Sequence, residues 1–80
     1  MFVRCESVDR GPGPSDKYVT VKTESGDIEE VIVHTSFVRE KMMEIAPVSS
    51  RNGSAVLIEL PSETVSGSWR IWVPKDSLQR

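Results

Sequence analysis

The sequence predicts a mainly β protein that folds as a small antiparallel barrel of five or six short strands. Its eleven valines and five isoleucines outnumber the three leucines, three methionines and two alanines by two to one. β-Branched side chains pack well in strands and lose rotamer freedom in helices. Five glycines and five prolines divide the 80 residues into short runs. A flat sheet of this size would leave one face bare and two edges open, so we expect one barrel domain over residues 1–80.

Three strands are predicted in the first half of the chain. Phe2–Val8 forms the first, and the Gly11–Asp16 loop after it is irregular because its prolines lack amide hydrogens. Lys17–Thr23 alternates apolar and polar residues, as a half-buried strand does. Glu24–Asp27 is predicted to be a hairpin turn because it contains a glycine that can adopt positive φ. Ile28–His34 then returns as the partner strand.

Two further strands are predicted in the second half. They are Ser54–Leu60 and Ser68–Val73, joined by the polar loop Pro61–Gly67. Pro74 ends the last strand, and Lys75–Leu78 suits one closing helical turn. No internal repeat is detected in the sequence, and no domain boundary is predicted.

The segment Thr35–Val48 fits both a helix and a strand. Three of its apolar residues fall at helical spacing, namely Val38, Met42 and Ile45. Alternation of Met43 with Ile45 instead fits a strand. We predict at most one short helix near residues 36–45, a turn over Ser36–Lys41, followed by a strand over Met42–Ala46.

This segment decides between two barrel architectures. If it is mainly strand, the layout is SH3-like, which we favour; a full helix would give the β-β-β-α-β-β order of an OB-fold. The runs HTSFVREKMMEI (residues 34–45) and GSAVLIELPSETVSG (residues 53–67) resemble the second half of small S1-like OB domains. The resemblance covers about half of the chain and implies an OB-fold. We assign no RNA-binding residues from it, because the basic surplus of such domains is missing.

Alternation also predicts which side chains face the barrel interior. The expected inward residues are Val19, Val21, Val31, Val33, Val56, Ile58, Leu60, Trp69, Ile71 and Val73. Because the two tryptophans are three positions apart, they face opposite sides of the last strand. We therefore predict an outward aromatic patch that binds a partner, formed by Tyr18, Ile32, Leu57, Arg70 and Trp72. The alternative is that Phe2–Val8, or the apolar residues of the middle segment, cover this face within the same chain.

Few residues are suited to catalysis or metal binding. The single cysteine, Cys5, and the single histidine, His34, cannot assemble a site of histidine and cysteine ligands. His34 and Ser36 are close in sequence, but no G-x-S-x-G turn accompanies them. We predict no catalytic residue, no cofactor and no metal site, and a protein that is not an enzyme.

The charge balance bears on the kind of partner. Ten lysines and arginines against twelve acidic residues give a net charge of −2, which on average repels phosphate. With one cysteine and no apolar run long enough to cross a membrane, we expect a cytoplasmic protein. We predict a non-enzymatic interaction module that binds a protein or self-associates through the aromatic patch. The alternative is an OB-type binder of single-stranded nucleic acid, in which Tyr18, Phe37 and Trp72 stack on bases.

Overall fold

The computed structural model describes all residues from Met1 to Arg80 and contains ten short strands and no α-helix. The first half of the chain holds β1 (Phe2–Arg4), β2 (Ser7–Arg10), β3 (Asp16–Lys22), β4 (Ile28–His34) and β5 (Val38–Arg39). The second half holds β6 (Met42–Glu44), β7 (Ala46–Arg51), β8 (Ala55–Glu59), β9 (Arg70–Pro74) and β10 (Leu78–Gln79). A 3-10 turn precedes the last strand of each half, at Thr35–Phe37 and at Lys75–Ser77. The prediction of a mainly β protein is confirmed.

Strand pairing forms three small antiparallel sheets. The first sheet consists of β2, β3 and β4, and the second consists of β7, β8 and β9. The third joins the two halves of the chain in the order β10-β1-β6-β5. These sheets do not join into one closed ring of strands, so no closed barrel is found.

The hydrophobic core draws on all three sheets. It contains twelve buried residues, which are Val3, Cys5, Val19, Val21, Val31, Val33, Met43, Ile45, Ile58, Leu60, Ile71 and Val73. Eight of the ten predicted inward residues belong to it, and Val56 packs against its edge. The prediction for Trp69 is wrong, because its side chain is 54% exposed. β9 begins only at Arg70, so Trp69 lies before the strand whose alternation was used to place it in the core.

The segment between β4 and β7 is a pair of short strands instead of a helix. After the 3-10 turn at Thr35–Phe37, β5 and β6 pair so that Val38 lies opposite Met43. Met43 also lies opposite Val3 of β1, and both side chains are fully buried. The helical turn predicted over Ser36–Lys41 is therefore reduced to three residues, since cross-strand burial outweighs the helical propensity of this stretch.

Two of the predicted strands are each divided by a buried residue. Phe2–Val8 becomes β1 and β2, with Cys5 between them. Met42–Ala46 is divided between β6 and β7, with Ile45 between them. Cys5 and Ile45 both contribute to the core. The chain therefore stays in contact with the core where it passes from the third sheet to the first sheet at Cys5, and from the third sheet to the second sheet at Ile45.

The two halves of the chain repeat the same order of structural elements, although no internal repeat is detected in the sequence. Strands β1 to β5 with their 3-10 turn correspond to β6 to β10 with theirs, about forty positions later. β1 pairs antiparallel with its own counterpart, β6. The flanking hydrogen bonds repeat as well: the Cys5 N–H donates to the Lys41 carbonyl at 2.7 Å, and the Ile45 N–H donates to the Met1 carbonyl at 2.9 Å. The two halves therefore contribute equivalent strands and equivalent flanking hydrogen bonds to the β1–β6 pair.

Candidate interaction surface

The five residues predicted to bind a partner lie in two different sheets. Tyr18 of β3 lies opposite Ile32 of β4, and Leu57 of β8 lies opposite Trp72 of β9. Arg70 shares a face of β9 with Trp72, because it lies two positions before it. The two pairs occupy corresponding positions in the two halves. The structure therefore presents two separate outer faces, one on each half.

The outer face of the first sheet carries a strip of apolar side chains. Ile28 and Ile32 alternate with Glu30 along β4 and are 50% and 39% exposed, and Tyr18 is half-buried beside Ile32. Val65, from the loop between β8 and β9, is 67% exposed. Its N–H donates to the Glu30 carbonyl at 2.8 Å, which places Val65 beside β4 and between the two isoleucines. We call Tyr18, Ile28, Ile32 and Val65 the outer apolar strip.

Acidic side chains surround the outer apolar strip. Asp9 of β2 lies opposite Tyr18, Asp16 precedes Tyr18 by two positions on the same face, and Glu30 lies between the isoleucines. None of these three carboxylates forms an ion pair, since both ion pairs of the structure involve other residues. Lys22 is the only lysine or arginine on this face of the sheet. The strip is therefore an apolar surface in a negative field.

The second outer face is covered by its own chain. The Arg51 guanidinium lies 4.4 Å from the centroid of the Trp72 ring, which is a cation–π contact. Arg51 Nη2 also donates to Glu24 Oε2 at 3.2 Å. Arg70 Nε donates to Glu59 Oε1 at 3.0 Å. Trp72 is consequently half-buried, and both arginines beside it already have carboxylate partners.

Ile28, Val65 and Trp69 are exposed apolar residues that the sequence analysis did not assign to a binding surface. Ile28 could have been included, because it alternates with Ile32 on one strand. Val65 lies in the loop Pro61–Gly67, whose composition is mostly polar. Only its backbone hydrogen bond to β4 shows that it lies beside the isoleucines. Trp69 was expected in the core, and no pattern in the sequence indicates that β9 begins one residue after it.

His34 and Ser36 form a hydrogen-bonded pair at the first 3-10 turn. The Ser36 Oγ lies 2.8 Å from His34 Nδ1, and the Ser36 N–H donates to the same nitrogen at 3.0 Å. The imidazole therefore caps the turn. No carboxylate hydrogen-bonds to the other ring nitrogen, so the pair lacks the third group that orients a histidine as a general base.

Cys5 is a poor candidate for a nucleophile. Its thiol is buried in the core, 3.7 Å from the Val3 carbonyl. Burial raises the pKa of this thiol from its ordinary value of 9.0 to about 11, and the positive charge of Lys41 opposes part of that rise. The thiol therefore keeps its proton at neutral pH, and the thiolate is the reactive form.

The structure contains no group of three or more histidine, cysteine or acidic side chains placed to hold a metal ion. None of its helical segments has the length and apolar character needed to span a membrane. Comparison with known proteins finds no matching family model, no similar curated protein and no similar solved structure.

Proposed function

We propose that this protein is a non-enzymatic binding module whose outer apolar strip holds a basic segment of a partner protein. The observation that supports this most is the position of Ile28, Ile32 and Val65. These three branched side chains are each more than a third exposed and belong to one face of a sheet, with Glu30 between the two isoleucines. Exposed apolar side chains grouped on one surface among polar residues are typical of protein interaction sites.

The charges around the strip favour one kind of partner. Asp9, Asp16 and Glu30 have no cationic partner in the structure. A segment that carries lysine or arginine beside its apolar residues would supply those partners and would be attracted at long range. Tyr18 adds a ring and a hydroxyl at one end of the strip, a combination that is frequent at interface hot spots.

The geometry of β4 sets a spacing for the bound segment. Ile28 and Ile32 are four residues apart on one strand, which corresponds to about 13 Å at the usual rise of a strand. A segment with two apolar residues separated by about that distance contacts both isoleucines. A lysine or arginine between them reaches Glu30.

For the architecture beneath this surface, we propose an SH3-like arrangement over an OB-fold. The segment that an OB-fold requires to be helical forms a 3-10 turn followed by β5 and β6. A cytoplasmic location and the absence of enzymatic activity remain predictions from the sequence.

The test is a titration of the isotope-labelled full chain with a short peptide of alternating lysine and valine, followed by amide chemical shifts. We expect shifts at Tyr18, Ile28 and Ile32 that saturate with peptide and weaken as salt is added. A peptide of alternating glutamate and valine is the matched control and should cause no comparable shifts. Shifts caused equally by both peptides would contradict a basic partner.

Two variants separate the strip from the rest of the surface. Ile32→Ser should abolish the shifts while the fold is retained, because the side chain is substantially exposed. Val48→Ser, at an exposed position on β7 in the other outer sheet, should leave them unchanged. If Ile32→Ser binds the peptide as the wild type does, the outer apolar strip is not the site.

The alternative predicted from the sequence, a binder of single-stranded nucleic acid, fits the charges and contacts of the structure less well than the proposal does. Arg51 occupies one side of Trp72, Arg70 is paired with Glu59, and acidic groups surround Tyr18. Salt-dependent quenching of tryptophan fluorescence by an oligonucleotide, without any response to the basic peptide, would favour this candidate over the proposal.

A further inference from the structure

We propose that two copies of this chain exchange halves, so that β1 to β5 of one copy pack against β6 to β10 of the other. The proposal goes beyond the binding function above, because it concerns how the two halves of the chain associate and not the binding of a basic segment. Its partner is a second copy of the same chain. It follows from three features of the structure, which are the interface between the halves, the reciprocal contacts of their loops and the linker that joins them.

The interface between the halves is built from one element and its counterpart. β1 pairs with β6, and at the centre of this pair Val3 lies opposite Met43 with both side chains fully buried. Each half therefore contributes a short strand whose central apolar side chain is buried against the other half. The second half of another molecule offers the same strand, in the same register, as the second half of its own chain.

Each half also holds the other through the loop of its own hairpin. The Glu24 N–H, between β3 and β4, donates to the Trp72 carbonyl on β9 at 2.8 Å. The Val65 N–H, between β8 and β9, donates to the Glu30 carbonyl on β4 at 2.8 Å. These contacts cross between the halves in both directions. All of them can form between two chains as well as within one, so exchange retains every contact except those at the linker.

The linker is short and has an unfavourable conformation. Only Glu40 and Lys41 connect β5 to β6. Glu40 has φ of 57°, a left-handed conformation that glycine or asparagine adopts more readily. Both residues are exposed, so extending the linker uncovers no apolar surface. Short hinge loops under strain favour domain swapping, because the exchanged form releases the strain.

The first experiment measures the mass of the full chain in solution by light scattering, after incubation at high concentration. We expect the wild type to form a minor dimer whose fraction rises with concentration. Glu40→Gly, which removes the strain, should lower the dimer fraction several-fold, and insertion of Gly-Ser-Gly after Glu40 should do the same. Deletion of Lys41, which leaves the linker too short for a closed hairpin, should convert most of the protein to dimer.

The second experiment shows which chains are joined. Phe2 and Glu44 lie opposite each other across β1 and β6. In a Cys5→Ala background, Phe2→Cys and Glu44→Cys together should form a disulfide within one chain in the monomer and between two chains in an exchanged dimer. Oxidised dimer fractions should therefore run as covalent dimers on a non-reducing gel. The variant Ile32→Ser should not alter this result, which separates exchange from any association through the outer apolar strip.

Three outcomes would overturn the proposal. One is a wild type that stays monomeric at every concentration. Another is a dimer whose engineered disulfide links residues of the same chain only. The third is a dimer fraction that Glu40→Gly leaves unchanged, and this comparison decides the matter if the Lys41 deletion does not fold.

Discussion

Val3 and Met43 lie opposite each other across the β1–β6 pair, and each is the counterpart of the other in the two halves of the chain. Both are fully buried members of the core. The centre of the contact between the halves is therefore also part of the hydrophobic core. Stability of the whole protein and association of its halves depend on the same side chains.

Met43→Ala should destabilise the protein strongly. Truncation of a fully buried methionine removes apolar burial and leaves a cavity, which typically costs about 2–5 kcal/mol. Urea unfolding followed by fluorescence would measure the loss. Val48→Ala is the control, because Val48 is exposed on β7, and its free energy of unfolding should change by no more than about 0.5 kcal/mol. Equal losses in the two variants would contradict the placement of Met43.

The Arg51–Trp72 contact should appear as a coupling between the two residues. A double-mutant cycle with Arg51→Ala and Trp72→Ala should give an interaction energy of about 0.5–1 kcal/mol, as expected for a partly exposed cation–π pair. Trp72→Ala alone should lower the free energy of unfolding measurably, because the ring is half-buried. Trp69→Ala provides the comparison: its ring is mostly exposed, and a loss as large as that of Trp72→Ala would argue against the assigned positions.

Gly11→Ala should disrupt the β2–β3 connection. A Cβ at Gly11 would lie 2.8 Å from the backbone carbon of Asp16 and 2.9 Å from its carbonyl oxygen, which accepts the Gly11 N–H at 3.0 Å. The backbone there cannot shift without breaking that hydrogen bond, so we expect a loss of about 1–3 kcal/mol in thermal or urea unfolding.

Gly13→Ala is the matched control for that substitution. Its Cβ would lie 2.7 Å from Oδ2 and 3.5 Å from Cγ of Asp16, and this carboxylate is the end of a side chain that can rotate away. The change should therefore be much smaller than for Gly11→Ala. A larger loss of stability for Gly13→Ala than for Gly11→Ala would show that the loop has a different conformation.

The buried thiol of Cys5 should make the protein less stable at high pH. Burial raises the pKa of this thiol from 9.0 to about 11, so the unfolded chain loses this proton at a lower pH than the folded protein does. The contribution of this thiol to the free energy of unfolding is complete below pH 9. It falls by on the order of 2 kcal/mol as the pH rises from about 9 to about 11. Cys5→Ala should remove this part of the pH dependence, and the difference between the two unfolding curves is the measurement. A difference in free energy of unfolding between the wild type and Cys5→Ala that does not change from pH 8 to pH 11 would contradict the raised pKa.

The alternation of the longer strands was readable in the sequence. Val19 and Val21 on β3, and Val31 and Val33 on β4, are buried as their spacing predicts. The turn between these strands was also predictable, because the sequence contains a glycine there. In the structure Gly26 adopts φ of 93°. Such features depend on residues that are close in the sequence. The alternation of apolar and polar residues along a strand therefore predicts them directly.

The middle segment and the repeat could not be read in the same way. Helical and strand spacing overlap in a stretch as short as Thr35–Val48, so the choice depends on which residues meet Met43 from elsewhere in the chain. The repeat has almost no sequence signal, because only Val8, Gly13 and Val33 are identical to the residues forty positions later. What the halves share is a pattern of buried positions and turns, which different apolar residues satisfy equally well.

The sequence by itself determined that this protein is built from short strands, which faces of the longer ones are apolar, and that Ile32 and Trp72 face outward. Only the tertiary structure decided that these two residues belong to different sheets, that Val65 completes an exposed strip beside β4, and that Arg51 covers Trp72. The physical reason is that strand formation follows from local side-chain patterns, whereas exposure depends on which distant segments pack together. Those contacts join residues far apart in the chain, and no local pattern specifies them.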